Sequence, residues 1–356
     1  MNRKATIYDI AREAGVSTAT VTRVVRKDPR VREATRLKVQ QIIDRFAYAP
    51  SLAAQHLEGG HSRTLAIVLP VLTNPYFNRI FDAAWWEAER SGCSIRLFQT
   101  MENQAISPQI VEELIRCRMD GVLFAGSIWS TDRGDLNSAL EKLGKYMPVA
   151  TICPPDVALD CICIQSDLVN CSRLPVRHLH TLGHRRIAFI GGSMHSKDAS
   201  RRGTGFLEQL RLLNLPDDPA YHVDAGYNME GGERAVIRML AGLERRRWPT
   251  AIVCFNDLVA LGALKQLKKM ALSLPRDMAI IGCDNQFFCA YTDPPLTTVD
   301  LHPEEMAQSA VRELLLARES TTARSFAIVR DATLVVRESC GAGLGYRKDL
   351  QEGGLS

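Results

Sequence analysis

Apolar positions recur at helical spacing in three short runs within the first fifty residues. In "TIYDIAREAGVSTATVTRVVRK", residues 6–27, Ile7, Ile10, Ala11 and Ala14 fall on one face of a first helix, and Thr6 is placed to cap it. Gly15 supplies the left-handed residue that a sharp turn needs. Ser17 is placed to cap a second helix, whose inner face is Val21, Val24 and Val25. Ala11 is small where the two helices must cross closely. A third helix is predicted from Arg32 to about Phe46, with Val39, Ile42, Ile43 and Phe46 as its buried stripe. Three short helices around one small core, two of them joined at a glycine, describe a helix-turn-helix unit. The next segment, "YAPSLAAQHLEGG" (48–60), is Ala-rich and bounded by Pro50 and Gly59-Gly60. An isolated helix in water needs roughly 12 residues or more, so this one orders only when something packs on it.

The pattern changes at Thr64. Short apolar runs ("TLAIVLP", "SIRLFQT", "GVLFAG", "PVATIC", "CICIQS", "RIAFIGG", "TAIVCF", "MAIIGCD") alternate with amphipathic stretches such as "FNRIFDAAWWEAERSG" and "SPQIVEELIRCRM". That alternation predicts parallel sheets built from βαβ units, and the strand number calls for two α/β lobes rather than one sheet. At 356 residues the chain is also too long for one ordinary core. The reading divides it into a helix-turn-helix head (1–49), a linker (50–62), a two-lobed body (63–340) and a Gly-rich tail (341–356). Ligands of such folds sit beyond the carboxyl ends of the strands, where loops of the two halves meet.

Charge assigns the head a partner. Residues 1–63 carry 12 Lys and Arg against 6 Asp and Glu, a balance of +6, whereas the remainder carries −2. A basic head on a slightly acidic body points to a polyanion partner for the head alone, and with the helix-turn-helix pattern to double-stranded DNA. The exposed face of the second helix offers Thr18, Ala19, Thr22, Arg23 and Arg26 to a groove. Arg23 can read guanine bidentately through O6 and N7. Thr6, Ser17, Thr22, Arg32, Thr35 and Tyr48 suit phosphate contacts, and Ile7 and Tyr8 complete the residues expected at the DNA.

Other chemistries find little support. No apolar run approaches the ~20 residues of a membrane span, and no secretion signal pattern opens the chain, so a cytoplasmic protein is expected. The ten cysteines form no CxxC pair and fall mostly in strand-like runs, as reduced, buried residues do. No G-x-G-x-x-G or Walker pattern follows the first strand; "GAGLG" at 341–345 lies in the tail. His178, His180 and His184 flank Gly183, which reads as a helix stop rather than a metal site, and there is no G-x-S-x-G elbow. No catalytic residues, cofactor or metal are expected.

The stretch from Thr6 to Leu57 closely resembles the head and hinge of the LacI/GalR family of bacterial transcription regulators. The resemblance continues through "NPYF" (74–77), "LGHRRIAFIGG" (182–192), "RRGTGF" (201–206), "FNDLVALGAL" (255–264), "LPRDMAIIGCDN" (274–285), "PPLTTVD" (294–300) and "LVVRES" (334–339). It implies an effector domain like a periplasmic sugar-binding protein, with two Rossmann-like lobes, three chain crossings between them and a cleft. It also implies that the hinge helices of two subunits pair on DNA, with Leu57 wedging into the minor groove and Ala54 beside it. Carried over by position, Tyr76, Phe77, Arg202, Asn256 and Asp284 face the cleft. Gln165 stands where the family often has a carboxylate. Asp284 could equally cap a following helix, and Asp257 reads as the cap of "LVALGAL". Together these imply a homodimeric regulator on a pseudopalindromic operator, answering to a sugar, sugar acid, polyol or phosphorylated derivative. The tail lacks heptads, which argues against a coiled-coil tetramer. The alternative is a cytoplasmic sugar-binding sensor or transport-type binding protein with no DNA role; the basic head argues against it.

Overall fold

The computed structural model describes residues 5–25, 28–48, 62–100, 106–126, 140–152, 161–192, 196–320 and 324–343. Arg26, Ala54 and Leu57 lie outside the described residues. The chain divides into two compact units, Met1–Ser62 and Arg63–Ser356.

Among its described residues the smaller unit holds three helices, α1 (Ile7–Ala14), α2 (Thr18–Val25) and α3 (Glu33–Arg45). Thr6 and Asp9 form a reciprocal capping box at the start of α1. Gly15, at φ 66°, ends that helix, and its N–H returns to the carbonyls of Ala11 and Arg12. The Ser17 hydroxyl accepts from Thr20 N at 3.2 Å and starts α2. Ile10, Ala11, Ala14, Val21, Val24, Val39, Ile42 and Ile43 make the core, with Ile7, Val25 and Tyr48 packed at its edge. Phe46 departs from the expected burial: it is 40% exposed. Its N–H still returns to the Ile42 carbonyl at 3.0 Å, so it stays on the helical stripe but lies past the end of the core, and the Arg45 guanidinium lies 5.0 Å over its ring.

The larger unit contains two parallel sheets. One has six strands in the order β11-β5-β4-β3-β1-β2 and the other four in the order β7-β6-β8-β9. In the first lie β1 (Thr64–Leu69), β2 (Ser94–Gln99), β3 (Gly121–Phe124), β4 (Val149–Thr151), β5 (Ile162–Ser166) and β11 (Phe326–Arg330). The second holds β6 (Ile187–Gly191), β7 (His222–Asp224), β8 (Ala251–Cys254) and β9 (Ala279–Ile281). All eight apolar runs form strands. Among the described residues four other strands lie outside those runs: β11, whose FAIVR is apolar but went unread, and β7 with the antiparallel pair β10 (Thr298–Asp300) and β12 (Thr333–Val335), each only three residues long.

The chain passes between the lobes three times: after β5, after β9, and after β11. The helix α10 (Pro303–Glu319) lies between the second and third passages and packs against β3, β4, β5 and the helix α4 (Pro75–Arg90) of the first lobe. Helices α6 (Asn170–Thr181) and α7 (Lys197–Leu212) pack together on one side of the second sheet. On its other side α8 (Met229–Ala241) lies against α9 (Asp257–Lys269). Among the described residues no helix is long and apolar enough to cross a membrane.

The α8–α9 crossing depends on missing side chains. A Cβ at Gly262 would stand 1.9 Å from the Met229 carbonyl oxygen, so the helices could not approach this closely. At Gly203, in α7, a Cβ would meet nothing within 4 Å. Gly262→Ala is therefore expected to lower stability by at least about 1–3 kcal/mol. Gly203→Ala should be neutral or stabilising by up to about 1 kcal/mol. Urea unfolding of the two variants beside the parent checks the contrast; equal effects would mean that the helices can slide apart freely.

Candidate functional site

A cleft of about 750 Å³, open to solvent, lies between the two lobes of the larger unit. Its lining follows the carboxyl ends of strands in both sheets. Pro70 comes after β1, Gly126 after β3, Ile152 after β4, and Gln165 and Ser166 end β5. From the other lobe, Asp198 and Arg202 follow β6, Tyr227 follows β7, Phe255 and Asn256 follow β8, and Asp284 follows β9. Parallel strands point their carboxyl ends in one direction, so loops from both sheets reach one gap.

Helix starts aim several of these side chains. Asn74 caps α4 by accepting from Tyr76 N at 3.0 Å, and Pro75 occupies the first helical position, where its missing N–H costs nothing. Tyr76 and Phe77 thereby sit in the first turn, edge to face at 5.5 Å. Ser196 caps α7 through Ala199 N at 3.1 Å, which sets Asp198 and Arg202 on its first turns.

Arg202 is 7% exposed. Its Nη1 donates to the Phe255 carbonyl, its guanidinium lies 4.2 Å over the Phe255 ring, and its Nη2 is 4.0 Å from Asp284 Oδ1. Burial alone would disfavour its charge, but the neighbouring acidic groups hold it firmly cationic. Burial pushes the Asp284 carboxyl well up, opposed by Arg202. The Asp284 side chain caps no helix; its residue sits at φ 111°, held by its N–H to the Val299 carbonyl at 2.8 Å. The Arg79 guanidinium, from α4, donates to the Asp284 carbonyl and pairs with Glu304 through Nη2 at 2.8 Å.

Asn256, not Asp257, caps α9: its Oδ1 accepts from Val259 N at 2.8 Å. Its Nδ2 donates to the Tyr227 carbonyl at 3.0 Å, so this side chain fixes the cleft wall with both ends of its amide. Gln165 Oε1 accepts from Arg201 Nη1 at 3.3 Å. Tyr76, Phe77, Gln165, Arg202, Asn256 and Asp284 thus line one cleft. Sequence reasoning missed Asn74, Ser166, Asp198, Tyr227 and Phe255. Their signal was position: each lies within a few residues of a strand's carboxyl end, although β7, which leads to Tyr227, was itself invisible.

In the head, Ala19 and Arg23 are exposed on α2 and Thr18 and Thr22 half-buried, with Thr22 Oγ1 donating back to the Thr18 carbonyl at 3.1 Å. Tyr8 and Arg32 are exposed, while Thr35 and Tyr48 are half-buried. Thr6 and Ser17 already use their hydroxyls as helix caps. The three histidines do not converge: His184 Nδ1 is 2.9 Å from Thr250 Oγ1, and His178 Nε2 is 3.3 Å from Cys340 Sγ. Among the described residues no group of three metal-binding side chains occurs.

Comparison with known proteins adds to this geometry. Residues 6–51 match the sequence profile of bacterial regulatory proteins of the lacI family, and residues 176–340 that of a periplasmic binding protein-like domain. The chain is 30% identical over 337 residues to the HTH-type transcriptional regulator DegA of Bacillus subtilis, covering 94% of this chain and 98% of that one. It is 28% identical over 340 residues to the HTH-type transcriptional repressor CytR of Escherichia coli, covering 95% and 97%. Among solved structures, the lac repressor dimer bound to operator and the anti-inducer ONPF has the same fold, with a TM-score of 0.82 at 24% identity over 95% of this chain and 99% of that one.

Asp257 offers a pH test of the hinge side of the cleft. It is fully buried, accepts from Gln286 N at 2.7 Å and from Thr298 Oγ1 at 2.6 Å, and burial pushes its carboxyl up to about 6 from an ordinary 3.8. The folded state therefore prefers the protonated form. This group's stabilisation is full below about pH 4 and is lost as pH rises through about 6. Asp257→Asn should remove a slope of roughly 1.4 kcal/mol per pH unit within that window. Urea unfolding of parent and variant across pH 4–7 measures it, and parallel curves would contradict the assignment.

Proposed function

The chain belongs to the LacI family of bacterial regulatory proteins, and from that membership we propose a cytoplasmic, homodimeric transcription repressor controlled by a small molecule bound between its lobes. The observation that carries the reading is the convergence of six side chains, from both lobes, on one cleft in a chain that also bears a basic helix-turn-helix head. Each dimer places two heads on a pseudopalindromic operator, one per half-site.

The lining favours one part of the anticipated ligand range. Its charged groups are one guanidinium, Arg202, and the Asp198 carboxylate, while burial disfavours the charged form of Asp284. An anionic sugar acid or phosphate would meet a cation already compensated. An uncharged polyol instead brings hydroxyl donors to the carboxyl groups and to Ser166 Oγ, a buried hydroxyl with no partner in the protein. Tyr76, Phe77, Tyr227 and Phe255 supply ring faces for its C–H edges. No cofactor or metal enters this scheme, and the relatives carry the names of regulators rather than enzymes.

DNA reading is assigned to α2, with Arg23 as the base contact. Arg26, Ala54 and Leu57 keep the phosphate, close-contact and minor-groove roles that the resemblance implies. Arg23→Ala should lose about 1–3 kcal/mol of discrimination at a single guanine. Its operator affinity should still fall steeply with salt, because the remaining cations displace counterions. Binding curves on the operator and on single-base variants decide this; uniform weakening on all sequences would make Arg23 a phosphate contact.

Sensing and DNA binding are carried by different units, so they are expected to separate on mutation. A thermal-shift screen over neutral polyols, sugars, sugar acids and phosphates finds the ligand, which at 100 times its Kd adds about 2.7 kcal/mol. Arg202→Ala should then abolish that ligand's influence on operator Kd while unliganded affinity stays within a few-fold. A variant that still responds normally would place the effector elsewhere.

A further inference from the structure

The helix α10 is anchored at both ends by buried or half-buried ion pairs. In its first turn the Glu304 carboxylate accepts from Arg79 Nη2 at 2.8 Å, and the same guanidinium donates to the Asp284 carbonyl, where the second crossing begins. Met306, half a turn further on, lines the cleft. In its last turn Arg318 Nη1 stands 3.0 Å from Asp120 Oδ2, a carboxylate whose side chain is only 4% exposed. That oxygen also accepts from Arg63 N at 2.9 Å. Arg63 is the residue at which the larger unit begins.

Arg63 is held closely. Its N–H is bonded to Asp120, its carbonyl accepts from Ser94 N at 2.8 Å, and the Thr64 carbonyl accepts from Asp120 N at 2.9 Å. Its backbone sits at φ 49°, a left-handed conformation that a β-carbon disfavours. Such a conformation persists only where the surroundings impose it. The apolar contacts beside the ion pair leave little play. A Cβ on Gly121, the residue after Asp120, would stand 3.2 Å from Leu314 of α10 and 3.3 Å from Leu65 of β1. The 17 residues of α10 span about 25 Å, and its buried face runs from Pro303 to Leu314 against the first lobe.

We propose that α10 is the rod that couples the cleft to the start of the larger unit, with Asp120 as its output: a positioning residue that, through Arg318, makes Arg63 follow the helix. Coupling over such a distance is carried by rigid elements held at both ends. The proposal rests on the reading of the cleft as the effector site. A molecule that displaces Asp284 or Met306 displaces Arg79 and Glu304 with them. The helix then carries Arg318 and, through Asp120, the peptide that leads back to residues 1–62 and the DNA-binding head.

Hydrogen exchange of the full-length protein, without ligand or DNA, reads this coupling. Glu304→Ala cuts the rod at its cleft end, on a side chain that is 43% exposed. Exchange should quicken several-fold in peptides covering Arg63 and Ser94, at the opposite end of the helix. Asp120→Asn keeps an acceptor for Arg63 N–H but discharges the pair, and Arg318 retains Glu319 at 3.2 Å. In that background Glu304→Ala should add nothing at Arg63 and Ser94. A Glu304→Ala effect confined to the start of α4 and to Asp284–Gln286 overturns the proposal. So does acceleration spread evenly over the larger unit, or an effect at Arg63 and Ser94 that Asp120→Asn leaves intact. The consequence for DNA is read on the duplex that the parent selects from a random pool. Asp120→Asn should lose most of the parent's preference for that duplex over ones lengthened or shortened by a base pair between half-sites; a preference as sharp as the parent's overturns the output role. None of these measurements contains an effector, so their failure leaves the cleft assignment standing, and an effector bound elsewhere leaves their result unchanged.

Discussion

A single buried guanidinium organises the cleft. Removing an arginine from water is expensive unless its charge and its donors are met. Arg202 meets part of those demands: Nη1 donates to the Phe255 carbonyl, the guanidinium lies over the Phe255 ring and Nη2 is 4.0 Å from Asp284 Oδ1, while Nε has no partner in the protein. Each partner is thereby held in place: Phe255 beside the start of α9, Asp284 at the second crossing. Arg79 repeats the device from the other lobe, joining α4 to the Asp284 carbonyl and to Glu304 at the start of α10. The helix that presents Tyr76 and Phe77 is therefore tied to the segment that presents Asp284.

These ties explain how a bound molecule can act at a distance. A ligand shifts an equilibrium only by contacting two arrangements differently. Here the two sheets contribute opposite walls of one gap, and only three chain crossings join them, so a ligand that touches both walls necessarily distinguishes an open cleft from a closed one. The crossings themselves are polar and crowded. Asp257 sits among Gln286, Thr298 and Cys289, and Arg337 Nη2 donates to Asn285 Oδ1 at 2.8 Å.

Much of this was legible in residue patterns. Helical spacing at Ile10, Ala14, Val21 and Val24, with glycine at the turn, specified the head, since each local preference agreed with the others. The continuous apolar strands revealed the two sheets for the same reason. Phe46 was misread because periodicity says nothing of where the core along a helix ends. Asp257 was misread because Asn and Asp are nearly equal as caps, and only the extended backbone at Asn256 chose between them. The β10–β12 pair went unseen because three-residue strands have too little sequence to show a period. The cleft positions taken from the resemblance fell together in space; Asn74, Asp198 and Tyr227 entered only through the fold.

Hydrogen exchange of the full-length protein, with and without the ligand that stabilises it, tests most directly the claim that the effector is held between the lobes. Slowed exchange is expected together at the start of α4, at the end of β5, in the first turns of α7 and at Phe255–Asp257 and Asp284–Gln286, because these segments form the two walls. Protection confined to one lobe, or to the head, would contradict it.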